Sequence, residues 1–245
     1  MKRNLLLGTV LLAAGSLLAA DLKDEVTSAG KQLASKDNYS WKQTTANAGG
    51  NGGGGGFGGG ASQGKTDKAG LVWVSREGRD GATIESVRKG EKGAVKGQDG
   101  WQSLEELRAN AGGGGGGGGG RGGFMGMMMR NFKAPAVQAQ DLAAAAKELK
   151  KDGDVVEGDL TEDGAKAQLS FGGRPGGNGP EISGAKGSVK FWLKDGVIAK
   201  YELKVKGTIS FNGNDRDVDR TTTVEIKDVG TTKIELSDEA KKKLE

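Results

Sequence analysis

The clearest pattern of apolar and polar positions lies in the last third of the chain. Apolar side chains alternate with polar or charged ones over residues 187–194 and 197–211, and again over 218–226. Asp195-Gly196 and Asn212-Gly213 separate these segments, and such dipeptides are typical of tight hairpin turns. The pattern therefore predicts long antiparallel strands with one apolar face and one charged face.

Weaker patterns predict the remaining elements. Helical spacing of apolar residues indicates helices at 22–36 and 138–151, a helix from Ser103 with a Ser-x-x-Glu capping box, a weak helix at 161–171 and a terminal helix capped by Ser237. Alternation indicates further strands at 39–46, 68–76, 82–89, 92–96, 155–160 and 232–236.

These elements define the expected fold class. We predict an α+β protein with a single curved antiparallel β-sheet, a half-open barrel, covered on its concave face by a few helices. A long curved sheet that short helices fill incompletely leaves a hydrophobic groove, which is a common form of ligand site.

The N-terminus predicts export. Lys2 and Arg3 precede a short apolar run that ends in Ala19 and Ala20, the pattern of a cleavable signal peptide over residues 1–20. The mature chain would start at Asp21, in the periplasm. The run is short for a membrane span, so an uncleaved anchor is the weaker alternative. The chain has no Cys, so no lipid anchor at the cleavage site is expected.

Two glycine tracts, residues 49–60 and 112–123, hold many of the 47 glycines. Polyglycine buries no side chain and has much backbone entropy to lose, so both tracts are predicted to be disordered. Long loops within a domain cost little free energy. We therefore expect one domain over residues 21–245 that contains both loops.

Charge and composition exclude several function classes. The net charge is +4, and removing the signal peptide lowers it to +2, which is too near neutral to indicate nucleic-acid binding. The chain has no His and no Cys, which excludes Ser–His and Cys–His catalysis and ordinary zinc sites. No catalytic residue, cofactor or metal site is predicted.

Three short motifs have simpler explanations than a site. Residues 59–66 match the phosphate-loop pattern, but polyglycine precedes the match and a strand follows it. Two Ser-x-x-Lys matches lack the accompanying motifs of penicillin-recognising enzymes. Asp215, Asp217 and Asp219 offer oxygen ligands for calcium, but the glycine and glutamate of a calcium loop are missing, so a solvated strand edge is expected.

A methionine-rich segment is the most distinctive candidate for cargo binding. Its apolar members are Phe124, Met125, Met127, Met128, Met129 and Phe132. Methionine adapts to varied partners, so this segment is either a mobile flap over a lipid groove or a fixed plug of the sheet. Trp73, Trp101 and Tyr201 are further candidates for cargo contact, with core packing as the alternative for the tryptophans.

The order of elements and several short phrases resemble a known superfamily. The phrases are Asn38-Tyr-Ser-Trp41, Gly-Gln-Asp-Gly-Trp101, Phe191-Trp-Leu-Lys-Asp-Gly196 and Lys200-Tyr201. They resemble the LolA-like periplasmic lipoprotein carriers and their LppX-like lipid-binding relatives over most of residues 22–244. The resemblance implies a half-open barrel, closed by helices, that shields acyl chains.

The leading hypothesis is a monomeric, non-enzymatic periplasmic carrier of acyl chains from a lipid or lipoprotein, in transient contact with a membrane. One alternative is an envelope-stress sensor or regulator on the same fold that binds a membrane-anchored partner. Another is a structural envelope protein with a filled core. A hydrolase is the least favoured, because no pattern supports a nucleophile.

Overall fold

The computed structural model describes residues 14–48, 61–77, 83–97, 100–112, 126, 128–170, 180–211 and 213–245. Within these ranges the strands are β1 (Asn38–Asn47), β2 (Ser62–Asp67), β3 (Leu71–Glu77), β4 (Thr83–Lys89), β5 (Lys92–Gly97), β6 (Gly100–Ser103), β7 (Lys150–Asp152), β8 (Val155–Asp159), β9 (Glu181–Lys194), β10 (Val197–Phe211) and β11 (Asn214–Lys227). The helices are α1 (Ala14–Ala34), α2 (Leu104–Gly112), α3 (Pro135–Ala145), α4 (Glu162–Leu169) and α5 (Asp238–Lys242).

All eleven described strands form one antiparallel sheet in the order β6-β5-β4-β3-β2-β1-β11-β10-β9-β8-β7. The edge strands β6 and β7 do not pair with each other, so the sheet is open. This confirms the predicted α+β class and half-open sheet. Strand β1 joins two parts, which we call the N-terminal half (β1–β6) and the C-terminal half (β7–β11).

Hairpin chemistry explains the longest strands. Asp195 and Gly196 have φ values of 52° and 73°, as the two central residues of a type I′ turn require, and they join β9 to β10. Register shifts in the β9–β10 pair follow Ile198 and Lys206. Such irregularities bend a strand and increase its local twist, which curves this half of the sheet.

The concave face of the C-terminal half is covered by three helices. Helix α1 packs against α3 and β10, and α4 packs against β9 and β10. Gly30 permits the close approach of α1 and α3, because a Cβ at this position would lie 2.9 Å from the carbonyl oxygen of Ala136. Gly207 permits the same for α4, because a Cβ there would lie 2.8 Å from Cδ1 of Leu169.

The outer face of the N-terminal half carries a second, smaller cluster. Val87, Ala94 and Trp101 are buried there beneath Ala240 of α5. Ser237 caps α5 as predicted, since its hydroxyl accepts a hydrogen bond from the backbone N–H of Ala240 at 3.3 Å. The terminal helix therefore protects the outer face, while the other helices lie against the concave face.

Several sequence-based boundaries were wrong. Helix α1 begins at Ala14, inside the predicted signal peptide, and α3 covers Pro135–Ala145 in place of 138–151. The strand predicted at 68–76 begins only at Leu71, as β3, after a turn at Gly70, and the sequence analysis did not predict β2. Residues 232–236 form no strand, because the N–H of Thr232 donates to the side-chain oxygen of Asn38 at 2.6 Å.

Candidate functional site

The concave face of the N-terminal half is built around Trp41 of β1. Trp41 is paired with Gly64 of β2, and its indole ring lies directly over that glycine: a Cβ on Gly64 would lie 2.1 Å from Cζ2. Tyr39 lies beside it, with ring centroids 5.9 Å apart. The missing side chain at Gly64 thus lets a large aromatic ring lie flat on the sheet.

The end of the methionine-rich segment closes over this ring. Phe132 stacks on Trp41 with centroids 5.9 Å apart and an interplanar angle of 20°. Met129 is buried in the same core cluster as Leu104 and Leu107 of α2, whereas Met128 is 36% exposed. We call residues 128–132 the closing segment.

Arg88 of β4 holds the closing segment in place. Its Nη1 donates to the carbonyl oxygens of Met129 at 3.2 Å, Arg130 at 2.9 Å and Phe132 at 3.2 Å. The carbonyl of Met129 also accepts a hydrogen bond from the N–H of Phe132 at 3.4 Å, and the guanidinium supplies a charged donor to all three carbonyl groups. A single side chain of the sheet therefore binds three carbonyl groups of the closing segment.

A second arginine contacts the other end of the closing segment. Arg76 of β3 lies on the concave face, in the pair Ser62–Arg76, and its Nη1 donates to Sδ of Met128 at 3.7 Å. Hydrogen bonds to a thioether sulfur are weak, so this contact adds little to the hold of Arg88.

An open cavity lies beside the closing segment. Its volume is about 240 Å³, and its lining includes Val72, Arg88, Phe132 and Ala134. Ligand pockets commonly measure roughly 300–1,000 Å³. The cavity is therefore too small for a whole lipid while the closing segment stays in place, and a long acyl chain would have to displace that segment.

The concave face of the C-terminal half presents a fixed surface. The hydroxyl of Tyr201 donates to Oε1 of Gln138 at 2.5 Å, and the N–H of Ala136 donates to the hydroxyl of Tyr39 at 3.4 Å. Burial raises the pKa of Tyr39 to about 12, although the bond from Ala136 acts in the opposite direction. Burial, then the charge of Tyr39, raises the pKa of Tyr201. Both phenols stay neutral and hold the start of α3.

The candidates for cargo contact lie in three places. Met128, Met129 and Phe132 are in the closing segment, and Phe124, Met125 and Met127 lie outside the described residues. Tyr201 is fully buried beneath α3. Trp73 and Trp101 belong to the outer cluster, on the opposite face from Phe132. The structure thus brings three of the candidates to one place and separates Tyr201, Trp73 and Trp101 from them.

Sequence reasoning missed Arg88. The segment that forms β4 alternates between two sets, Ile84, Ser86 and Arg88 on one face and Glu85, Val87 and Lys89 on the other. Each set contains one aliphatic and one basic residue, so alternation alone does not tell which faces inward. A charged residue on an inward face of a sheet is the signal that would have indicated a specific partner.

The motifs set aside in the sequence show no site in the described residues. Gly64, Lys65 and Thr66 lie within β2, not in a loop before a helix. Asp215 and Asp217 accept hydrogen bonds from Ser210 at 2.6 Å and Thr208 at 2.7 Å. Among the described ranges, no group of three His, Cys, Asp or Glu residues could hold a metal ion, and no helix is long and apolar enough to cross a membrane.

Two solved structures are similar to this chain. The Mycobacterium tuberculosis lipoprotein LppX has a TM-score of 0.45 and 9% identity, with 89% of this chain and 99% of LppX covered. LprF from Mycobacterium bovis has a TM-score of 0.45 and 8% identity, with 90% and 98% covered. The resemblance to LppX-like proteins stated from the sequence agrees with this similarity. No family model and no curated protein sequence matches the chain.

Proposed function

We propose that this chain is an exported periplasmic carrier that binds acyl chains of a lipid or lipoprotein against the concave face of its N-terminal half. The observation that supports this proposal is the way in which that face is covered. In the described part of the chain it consists of α2 and the closing segment, and the latter is held by Arg88 and by the stack of Phe132 on Trp41. A carrier requires a cover that can be displaced.

The driving force is burial of apolar surface, about 0.8 kcal/mol for each acyl methylene. Trp41 and Val72 lie on the face that the acyl chain would contact, and Val74 and Ile84 are half-buried on the same face. No bond is made or broken, so the role needs no nucleophile, metal or cofactor. In this proposal a signal peptide over residues 1–20 directs the chain to the periplasm.

Arg88→Gln tests the closing role. The substitution removes hydrogen bonds from a charged donor, which are worth about 1.5–3 kcal/mol. If acyl chains bind only when the segment opens, weaker closure raises the binding-competent fraction, and the apparent Kd falls about 10- to 100-fold. Fluorescence titration with a labelled fatty acid measures this change.

The matched control is Arg108→Gln, which removes the same charge from an exposed position on α2 and should leave the Kd unchanged. An unchanged Kd in the Arg88 variant would show that the segment does not gate binding. Absence of fatty-acid uptake in both variants would favour a structural envelope protein with a filled core.

Mass spectrometry of organic extracts identifies the cargo. The protein is purified from its native periplasm without detergent, and a stoichiometric lipid or acyl peptide would establish the proposed class. A clean extract would contradict it. A membrane protein that co-purifies in stoichiometric amount would instead favour the sensor alternative.

A further inference from the structure

A groove lies on the outer face, opposite the closing segment. It forms where the chain after β11 crosses the outer face of β1 and β2. Lys65 Nζ donates to the carbonyl oxygen of Lys233 at 3.0 Å, and the N–H of Gly230 donates to the carbonyl of Asn38 at 2.8 Å. The groove has a volume of about 520 Å³, within the usual range for ligand sites.

The groove carries an excess of positive charge. Four lysines line it: Lys42, Lys65, Lys227 and Lys233. One carboxylate, that of Asp228, also lines it and accepts a hydrogen bond from Ser40 at 2.8 Å. Lys227 pairs with Glu225 at 3.3 Å, whereas Lys42 and Lys233 are exposed and have no acidic partner within 4 Å among the described residues.

Two half-buried tryptophans with lysine partners share this outer face. Trp73 lines the groove, with Nζ of Lys65 5.5 Å from its ring centroid. Trp192 lies on β9, with Nζ of Lys200 4.4 Å from its ring. Tryptophan is enriched at membrane interfaces, where its apolar ring and polar N–H meet two environments, and lysine extends its charge towards headgroups.

We propose that this outer groove receives the phosphate headgroup of an anionic lipid and so docks the chain on a membrane surface. The lysines supply the charge that a phosphodiester requires, Thr231 supplies a hydroxyl group, and the indole of Trp73 meets the glycerol region. An acidic peptide would complement the charge of the lysines, but such a peptide gives no role to the tryptophan beside them. The acyl site and the docking site lie on opposite faces, so the docking proposal stands even if the concave face binds nothing.

The test is co-sedimentation of the mature chain with vesicles of phosphatidylcholine alone or of phosphatidylcholine with phosphatidylglycerol. We expect binding to the anionic vesicles only, weakened by added salt. Because each lysine near an anionic surface contributes roughly a five-fold gain in affinity, the variant K42Q/K65Q/K227Q/K233Q should bind at least about 100-fold more weakly.

A matched control removes four exposed lysines elsewhere, K31Q/K36Q/K147Q/K150Q. It has the same net charge as the groove variant and should keep most of the vesicle binding. Equal losses of vesicle affinity in the two variants would show that binding depends on net charge, and the proposed lipid site in the groove would then be wrong. Failure of the unaltered chain to bind anionic vesicles would overturn it as well.

Two further measurements keep the result interpretable. K42Q/K233Q leaves Lys65 and Lys227 in place, so it preserves the bond from Lys65 to the carbonyl of Lys233 and should still weaken vesicle binding about 10-fold or more. Competition with a poly-glutamate peptide tests whether the groove binds an acidic peptide instead of a lipid. If the peptide binds and its binding depends on the groove lysines, while vesicles do not bind, the lipid proposal is wrong. Fatty-acid uptake in the absence of vesicles measures binding at the concave face alone. The groove variant should retain this uptake.

Discussion

The two halves of the concave face are covered in different ways. On the C-terminal half, α1, α3 and α4 lie against the sheet, and α3 is held by two buried tyrosines and by Lys23, whose Nζ donates to the carbonyl of Ala146 at 2.5 Å. On the N-terminal half, the cover includes five residues of the closing segment, tied by Arg88. Both covers contribute to one hydrophobic core cluster, but the first does so through three helices and the second through α2 and the few residues of the closing segment.

This difference predicts where the molecule opens. A helix packed through many fully buried side chains separates from the sheet only with global unfolding, whereas a short segment held by a few contacts opens at a lower free energy. A binding face needs the second kind of cover. The C-terminal half therefore provides stability, and the N-terminal half provides access to the concave face.

Removing one aromatic ring from each half should give the largest contrast. Phe191 of β9 is fully buried against Tyr201, so Phe191→Ala should lower the free energy of unfolding by about 3–5 kcal/mol. Phe132 is half-buried, so Phe132→Ala should lower it by about 1–2 kcal/mol. Urea unfolding followed by circular dichroism measures both. Equal losses would contradict the distinction between the two covers.

Alkaline pH should release the fixed cover. In the unfolded chain both tyrosines ionise near pH 10. Burial raises the pKa of Tyr39 to about 12, and burial also raises the pKa of Tyr201 above its ordinary value. The unfolded state then loses protons first, so stability is intact below pH 10 and falls as pH rises through the folded pKa. The expected slope is about 1.4 kcal/mol per pH unit for each tyrosine.

Tyrosinate absorbance provides a direct readout, because Tyr39 and Tyr201 are the two tyrosines of the chain. Absorbance should rise together with the loss of helical circular dichroism. Ionisation near pH 10 in a chain that keeps its native signal would show that the phenols are accessible. The variant Tyr39→Phe/Tyr201→Phe should lose this part of the pH dependence while the lysines continue to titrate.

A methyl group placed under Trp41 should loosen the displaceable cover. In Gly64→Ala the new Cβ would lie 2.1 Å from the indole, so the ring must move off the sheet and push against Phe132. Overpacking of this kind costs about 1–3 kcal/mol. Amide hydrogen exchange should accelerate in the closing segment and stay unchanged in α3. Acceleration in both regions would show that the two covers are coupled.

The sequence predicted the C-terminal half better than the N-terminal half, for a physical reason. Phe191, Tyr201 and Val224 are large residues at alternating positions, so their common inward face could be read from the pattern. The inward positions of β2 are Ser62, Gly64 and Thr66, and Trp41 needs the space at Gly64. A strand that carries small residues under a neighbouring ring has no apolar alternation to detect.

Tertiary contacts also set boundaries that periodicity could not. Leu149 fits the helical spacing of α3 and is buried, yet the helix ends at Ala145 and the chain turns so that Lys147 N–H donates to the carbonyl of Asp159 at 2.8 Å. The triple contact of Arg88 joins residues more than forty positions apart. Pairing at that separation depends on the register of the sheet, which local patterns do not specify.

Two matched helix caps give the smallest and most discriminating test. The hydroxyl of Thr161 accepts from the N–H of Gly164 at 3.0 Å at the start of α4, in the C-terminal half. The hydroxyl of Ser103 accepts from the N–H of Glu106 at 3.1 Å at the start of α2, in the N-terminal half. Replacing either with Ala costs about 1 kcal/mol of helix stability.

The two losses should appear in different observables. Thr161→Ala should lower the global free energy of unfolding, because α4 separates from the sheet only when the chain unfolds. Ser103→Ala should mainly speed amide exchange in α2 and the closing segment, since Leu104 and Leu107 contact the same cluster as Met129. Equal effects of the two substitutions on the global free energy of unfolding would mean that the halves unfold as one unit. Displacement of the closing segment would then require the whole sheet to unfold.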